Sequence, residues 1–75
     1  MNTADKIRKH RLEANLTISE LAVKVRIGAG LMQKIEENRY QPDVQTLLKI
    51  STALDIPASE FLEKETIEQL EKADT

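Results

Sequence analysis

The stretch from Leu16 to Arg39 constrains the fold of this chain most, because it has the pattern of two short helices joined by a tight turn. Thr17 and Glu20 have the spacing of a capping box, in which each side chain accepts a hydrogen bond from the other residue's amide. Leu16 and Leu21 flank this cap as a hydrophobic staple. The pattern predicts a helix that begins next to Thr17.

Apolar residues follow the cap at helical spacing in two groups. Leu21, Ala22 and Val25 fall on one face of the first helix, and Met32 and Ile35 fall on one face of the second. Ala22 is small enough to allow a close crossing between the two helices. We expect both faces to be buried against each other.

The turn between the two helices consists of Arg26, Ile27 and Gly28. Gly28 is an acceptable N-cap for the second helix, which should run to about Glu37. Asn38 comes directly after it, and asparagine tolerates the left-handed conformation of a C-terminal cap. The stretch therefore contains both ends of both helices.

Three further helices are predicted around this pair. The first begins at a Thr3 cap and runs to about residue 14. The fourth begins at the N-cap Asp43 and ends at Asp55, and the fifth begins near Pro57 and either extends to about Glu71 or frays. The sequence thus predicts an all-α domain over residues 3–62 and a charged helical extension or tail over residues 63–75.

Composition limits the functional classes. The 75 residues are enough for one small domain, and they include no cysteine, so a reducing cytoplasm is compatible and no disulfide or thiolate chemistry is available. No apolar run approaches the ~20 residues of a membrane span, and no signal peptide opens the chain. We expect a cytoplasmic protein without a membrane segment.

The net charge of −2 is unevenly distributed along the chain. Residues 1–49 carry nine Lys and Arg against six Asp and Glu, a charge of +3, whereas residues 50–75 carry two against seven, a charge of −5. This asymmetry allows a basic surface that faces DNA and an acidic tail that faces away.

The helical pair resembles the helix-turn-helix of the Cro and phage-repressor family, also called the XRE family. The match covers roughly Lys6 to Leu62. It rests on Thr17, Glu20, Leu21, Ala22, Val25, Ile27, Met32, Ile35, Glu36 and Arg39, and continues through Pro42, Leu47, Leu48, Ile50, Ala53, Leu54 and the segment IPASEFL.

The resemblance implies a five-helix, sequence-specific DNA-binding regulator, repressor-like, with the helix-turn-helix at helices 2 and 3. Helix 3 would enter the major groove of a double-stranded operator, and the protein would bind as a homodimer. Arg39 and Tyr40 lie where a basic and a hydroxyl side chain can reach phosphates. The candidate DNA-binding residues are Thr17, Arg26, Gly28, Ala29, Gly30, Gln33, Lys34, Arg39 and Tyr40.

The resemblance also links Arg11 to Glu36 as a structural ion pair between helix 1 and the end of helix 3. The alternative is two independent surface charges. His10 is the only histidine, and a metal or acid–base role would need partners that the sequence lacks. We therefore interpret His10 as a residue packed at a helix crossing, and we predict no metal site and no cofactor.

The chain departs from the family pattern in three ways. Arg26 stands where glycine is usual, and a left-handed conformation costs arginine about 1 kcal/mol or more, which predicts a reshaped turn. Ile18 stands where a phosphate-binding glutamine is common. Ala29 and Gly30 cannot read the donor and acceptor pattern of bases, which leaves that to Gln33 as an adenine reader and Lys34 as a guanine reader.

Two functions remain open. The first is the DNA-binding regulator, with readout shared between Gln33, Lys34 and the shape of the DNA. The second is a diverged helix-turn-helix with little or no DNA binding, in which exposed Ile27, Ala29 and Leu31 form a protein-contact patch. The sequence has no arrangement of a nucleophile with a general base, no glycine-rich loop that could cradle a phosphate and no metal-binding cluster. It therefore gives no indication of an enzyme.

Overall fold

The computed structural model describes residues 1–62, and this part of the chain is helical without a β-strand. Its elements are α1 (Thr3–Glu13), α2 (Ile18–Val25), α3 (Ala29–Glu36), α4 (Val44–Ala53) and a short 3-10 helix (Ala58–Glu60). The all-α prediction is confirmed. Where the fifth helix was expected, the described residues form the 3-10 helix. The extension to Glu71 and the tail over residues 63–75 lie outside the described residues.

Side-chain caps define the starts of three helices. Thr17 and Glu20 form both bonds of the predicted capping box, at 2.9 and 3.0 Å. Asp43 caps α4 by accepting from the amide of residue 46 at 2.8 Å. The predicted Thr3 cap of α1 is wrong, because Asn2 accepts from the Asp5 amide at 2.8 Å and Thr3 is already helical. Asparagine is the better N-cap of the two residue types.

The four α-helices all end with the same backbone motif. A non-glycine residue with positive φ follows each helix: Asn15 at 59°, Arg26 at 65°, Asn38 at 60° and Asp55 at 57°. In each case the next amide bonds to the carbonyl five residues earlier, as in the 3.0 Å bond from Ile27 N–H to the carbonyl of residue 22. This is the Schellman motif. The turn at Arg26 is therefore left-handed and not reshaped, because two backbone bonds hold it there.

The core is formed by one apolar face from each of the four helices. All five residues predicted to be buried in α2 and α3 are at most 2% exposed. Burial of these faces supplies the main stabilisation of so small a domain, at about 25 cal/mol for each Å² of apolar surface. The complete core cluster is Ile7, Leu21, Ala22, Val25, Met32, Ile35, Leu47, Ile50 and Leu54.

His10 fastens the 3-10 helix to α1. Its ring meets Phe61 edge to face, with centroids 6.4 Å apart and an interplanar angle of 78°. Its Nε2 lies 3.7 Å from Glu60 Oε2, and Lys6 Nζ donates to the Glu60 carbonyl at 3.3 Å. The side chain is 18% exposed, as a residue packed at a crossing should be.

Arg11 joins three parts of the fold through one guanidinium group. Its Nε donates to Glu36 Oε2 at 2.7 Å, and its Nη1 donates to the carbonyl of Leu16 at 2.8 Å. The Arg11 side chain is 10% exposed and that of Glu36 is 4% exposed. The pair connects α1 with the segment before α2 and with the last residue of α3.

Replacing Arg11 with methionine should lower the free energy of unfolding by about 3–5 kcal/mol, because Glu36 is left as a buried unpaired charge. A chain of this size has a total of only about 4–11 kcal/mol. The double variant Arg11→Met, Glu36→Leu should recover much of the loss. Urea unfolding of wild type, both single variants and the double variant measures this.

The matched control is Arg8→Met, which removes an exposed arginine from the same helix and should change stability by no more than about 0.5 kcal/mol. A loss of that small size in Arg11→Met would show that the pair does not support the fold.

Candidate nucleic-acid interface

The surface of α3 carries a continuous exposed stripe. Ala29, Gly30, Gln33 and Lys34 are exposed, whereas Met32 and Ile35 on the opposite face are buried. The spacing i, i+1, i+4, i+5 places the four on one side of the helix. We call these four residues the α3 stripe. Core packing on one side of α3 thus fixes which side chains face outward.

Gly30 leaves a bare patch in this stripe. Its φ is not positive, and a Cβ built on it would meet nothing within 4 Å. Neither backbone conformation nor packing within residues 1–62 requires glycine there, although glycine in a helix costs up to about 1 kcal/mol relative to alanine. A bare helix surface suits the close approach of another molecule.

Ile27 and Leu31, which flank the start of α3, are half-buried and pack against the core. Of the three residues in the expected protein-contact patch, only Ala29 is exposed. The apolar surface at this end of α3 is therefore small. The exposed face of the helix is polar at Gln33 and Lys34 and bare at Gly30.

Glu37 connects two of the candidate DNA-binding side chains, which the sequence reading did not foresee. Gln33 Nε2 donates to Glu37 Oε2 at 3.2 Å, and Arg39 Nη1 lies 3.5 Å from Glu37 Oε1. Gln33 and Glu37 are four residues apart, so helical spacing alone makes them neighbours. This spacing of four residues was the feature of the sequence from which the contact between Gln33 and Glu37 could have been predicted.

The loop after α3 presents Arg39 and Tyr40 to solvent. The Arg39 side chain is 69% exposed and Tyr40 is 49% exposed. Half of the Tyr40 surface is covered, which agrees with an aromatic residue that has an apolar body and a polar tip.

Thr17 is exposed at the start of α2, and its hydroxyl accepts from the Glu20 amide. The hydrogen bond from the Thr17 amide lowers the pKa of the Glu20 carboxyl below its usual 4.5, so the capping box is ionised at neutral pH. Ile18, the residue that departs from the family pattern, packs partly against the core. Its apolar side chain is thereby explained by packing.

Arg26 lies in a groove that includes no residue of the α3 stripe. It lines a groove of about 470 Å³ between the end of α2 and α4, together with Lys24 and Lys49. Gln33 instead lines a smaller recess of about 230 Å³, which it shares with Arg8 of α1. The structure brings Arg8 to the stripe and Arg26 to a different face.

Among residues 1–62 there is no group of three or more His, Asp or Glu side chains that could hold a metal ion. None of the helices in this range is long and apolar enough to cross a membrane.

Gly28, the N-cap of α3, is exposed and has no side-chain bond. The exposed side chains of the candidate interface offer amide, ammonium, guanidinium, hydroxyl and carboxylate groups.

The fold and the stripe agree with a known family. The helix-turn-helix family HTH_3 matches residues 7–61, which is most of the chain. The chain belongs to this helix-turn-helix family. Its α2, left-handed turn and α3 form the motif after which the family is named.

Two curated relatives of this helix-turn-helix chain have regulatory names. The immunity repressor protein of Bacillus phage phi105 is 32% identical over 74 residues, which is 99% of this chain and 51% of the repressor. The HTH-type transcriptional regulator SutR of Escherichia coli is 32% identical over 56 residues, 75% of this chain and 32% of SutR. The chain thus spans about half or less of these relatives.

A solved structure shares the fold of this helix-turn-helix chain. It is titled as a complex of SinR protein and SinI protein, and the matched chain superposes with a TM-score of 0.72 at 28% identity. The match covers 96% of this chain and 78% of the other. The helical arrangement is therefore one that an experimental structure also shows.

Replacing Arg26 with glycine should raise the free energy of unfolding by about 0.5–1 kcal/mol, because glycine adopts the left-handed conformation without strain. The greater freedom of glycine in the unfolded chain offsets part of the gain. Thermal and urea unfolding measure the change. Lys24→Gly is the control, since the same replacement inside α2 should destabilise by about 0.5–1 kcal/mol. A loss of stability in Arg26→Gly would contradict the strain assigned to this turn.

Proposed function

We propose that this chain is a sequence-specific DNA-binding transcriptional regulator, repressor-like, that places α3 in the major groove of an operator. The observation that carries the proposal is the exposed α3 stripe of Ala29, Gly30, Gln33 and Lys34. Membership of the helix-turn-helix family and the names of the phage repressor and SutR support it. A regulator of this class would act in the cytoplasm.

The stripe divides recognition into two parts. Gln33 can form a bidentate contact with adenine, and Lys34 can donate to O6 and N7 of guanine. Ala29 can contact a thymine methyl group, and Gly30 allows the helix backbone to approach the bases closely. Because only two side chains carry hydrogen-bonding groups, the shape and deformability of the operator supply part of the specificity.

Two cations near the Gln33 end of the stripe would hold the helix in register. Arg8 shares a recess with Gln33, and Arg39 is exposed in the loop after α3. Guanidinium groups at such positions contact backbone phosphates, which fixes the orientation of the protein without reading sequence. Thr17 at the start of α2 and Tyr40 after Arg39 extend this set with hydroxyl groups.

The second candidate function is a protein-interaction module. It would need an apolar surface, and Ile27 and Leu31 are instead half-buried against the core. We therefore favour DNA binding. The structural neighbour is a complex of two proteins, SinR and SinI, so a protein partner in addition to DNA is compatible with the proposal.

Lys34→Ala should weaken operator binding by about 1–3 kcal/mol and relax base preference at one position, because it removes a base contact. Arg39→Ala should weaken binding to all sequences alike and reduce the salt slope by about one ion, because it removes a phosphate contact. The measurement is fluorescence anisotropy over a salt series, with an operator obtained by selection from random DNA and with a scrambled duplex.

Lys49→Ala serves as the control for lost positive charge, since Lys49 lines the groove on α4 and not the recess beside Gln33. It should change binding only slightly. If wild type binds no duplex from the selection or from genomic fragments even at low salt, the interaction module replaces the regulator.

We further propose that the chain forms a homodimer through the segment after the 3-10 helix. Ending the chain after Leu62 should leave the fold intact and weaken self-association, because the family match ends at residue 61 and Ile67 and Leu70 are apolar residues three apart. Sedimentation equilibrium of both chains measures this. In the 75-residue chain, Ile67→Ser with Leu70→Ser should act like the truncation, and Lys64→Gln should not. A 75-residue chain that stays monomeric at high concentration would contradict the proposal.

A further inference from the structure

Glu37 places a carboxylate among the residues proposed to contact DNA. One of its oxygens accepts from Gln33 Nε2 at 3.2 Å, and the other lies 3.5 Å from Arg39 Nη1. The Glu37 side chain is 43% exposed, so it opens to the same solvent as the α3 stripe. A negative charge at this place opposes the approach of phosphates. The presence of an acidic residue in a candidate DNA interface therefore needs an explanation.

A buried ion pair like that of Glu36 does not supply the reason, and an exposed i,i+4 bond to Gln33 adds only about 0.2–0.5 kcal/mol to the helix. The neighbouring Glu36 is neutralised by Arg11 and is 4% exposed, so its charge belongs to the interior of the fold. Glu37 has no such role, and it stands at the C-terminal cap of α3. The helix dipole disfavours an anion at that end. Within residues 1–62 its side chain bonds to Gln33, a candidate base reader, and pairs with Arg39, a candidate phosphate contact. It also lines the recess that contains Arg8.

We propose that Glu37 is a specificity-determining positioning residue for DNA recognition. It orients the Gln33 amide towards the base that Gln33 reads, and it competes with backbone phosphate for Arg39. The inference rests on the proposed DNA-binding function and names how the same interface separates operator from other DNA. Its two effects act on different quantities, one on base preference and one on affinity for any duplex.

The bond to Gln33 leaves the groups for base readout free. The amide nitrogen has two hydrogens, and Glu37 takes one of them. The second hydrogen and Oε1 remain, and these form the donor and acceptor pair that matches N7 and N6 of adenine. Because a carboxylate accepts and cannot donate, the nitrogen must face Glu37 and the amide cannot turn over. The edge of Gln33 that meets the base is thus fixed before DNA binds.

The contact with Arg39 acts on sequence-independent binding. Phosphate contacts supply nearly all of the affinity for non-specific DNA. Glu37 offers the Arg39 guanidinium another anion and repels nearby phosphates, so it weakens binding to every duplex. On the operator, base contacts offset this loss. The ratio of operator to non-specific affinity is higher with Glu37 than without it.

The test is Glu37→Gln in the full chain, measured by anisotropy with the selected operator, with operators changed at single base pairs, and with scrambled DNA. Scrambled DNA should be bound about 3–10-fold more tightly, because the charge that competes with phosphate for Arg39 and repels nearby phosphates is removed. Discrimination at the adenine read by Gln33 should fall about fivefold, while discrimination at other base pairs stays the same. Urea unfolding should show no loss of stability.

Two controls separate position from charge. Glu13→Gln makes the same charge change on α1, where Glu13 lies 3.4 Å from His10, and should alter neither quantity. Glu37→Asp keeps the charge on a side chain that is too short to hold Gln33. It should keep the weak binding to scrambled DNA and lose the base discrimination.

A double variant shows whether Glu37 acts through Gln33. In a Gln33→Ala background, Glu37→Gln should cause no further loss of discrimination. If Glu37→Gln lowers affinity for operator and scrambled DNA alike, or leaves their ratio unchanged, the proposed role of Glu37 is overturned. Wild type that binds no DNA is a different result, visible before any variant is made, and it overturns the proposed function itself.

Discussion

The buried salt bridge between Arg11 and Glu36 is the interaction on which the geometry of the interface depends. A single guanidinium holds the end of α3 by a 2.7 Å bond and the backbone before α2 by a 2.8 Å bond. Both helices of the motif are therefore held in place relative to α1. Two charges with little exposed surface tolerate few geometries, because a misplaced partner leaves a charge without compensation. The pair thereby fixes the orientation of the α3 stripe relative to α1.

Two adjacent glutamates at the end of α3 receive different tasks from this arrangement. The helix turns by about 100° from one residue to the next, so Glu36 points into the fold towards Arg11 and Glu37 points towards Gln33 and Arg39. The same carboxylate chemistry thus contributes to packing in one case and lies in the candidate interface in the other. Local geometry, and not residue type, separates the two.

The parts of the fold that the sequence predicted are those governed by short-range rules. The Thr17 capping box, the Asp43 cap and the buried faces of α2 and α3 follow from spacing alone, because backbone hydrogen bonds and apolar burial leave few alternatives. The α1 cap was misplaced by one residue because Asn2 and Thr3 are both capping types. Glu37 was missed because exposed polar side chains have several partners within reach, and spacing does not choose between them.

The bare surface at Gly30 has a consequence for how this scaffold can change. A Cβ added there meets no atom within 4 Å outside its own stretch of helix among residues 1–62, so the neighbouring elements leave room for it. Replacing glycine in a helix also favours the helix. A single substitution at position 30 can thus add a side chain to the exposed face of α3 while the core stays as it is. The surface that α3 presents can therefore change without any change in the buried residues.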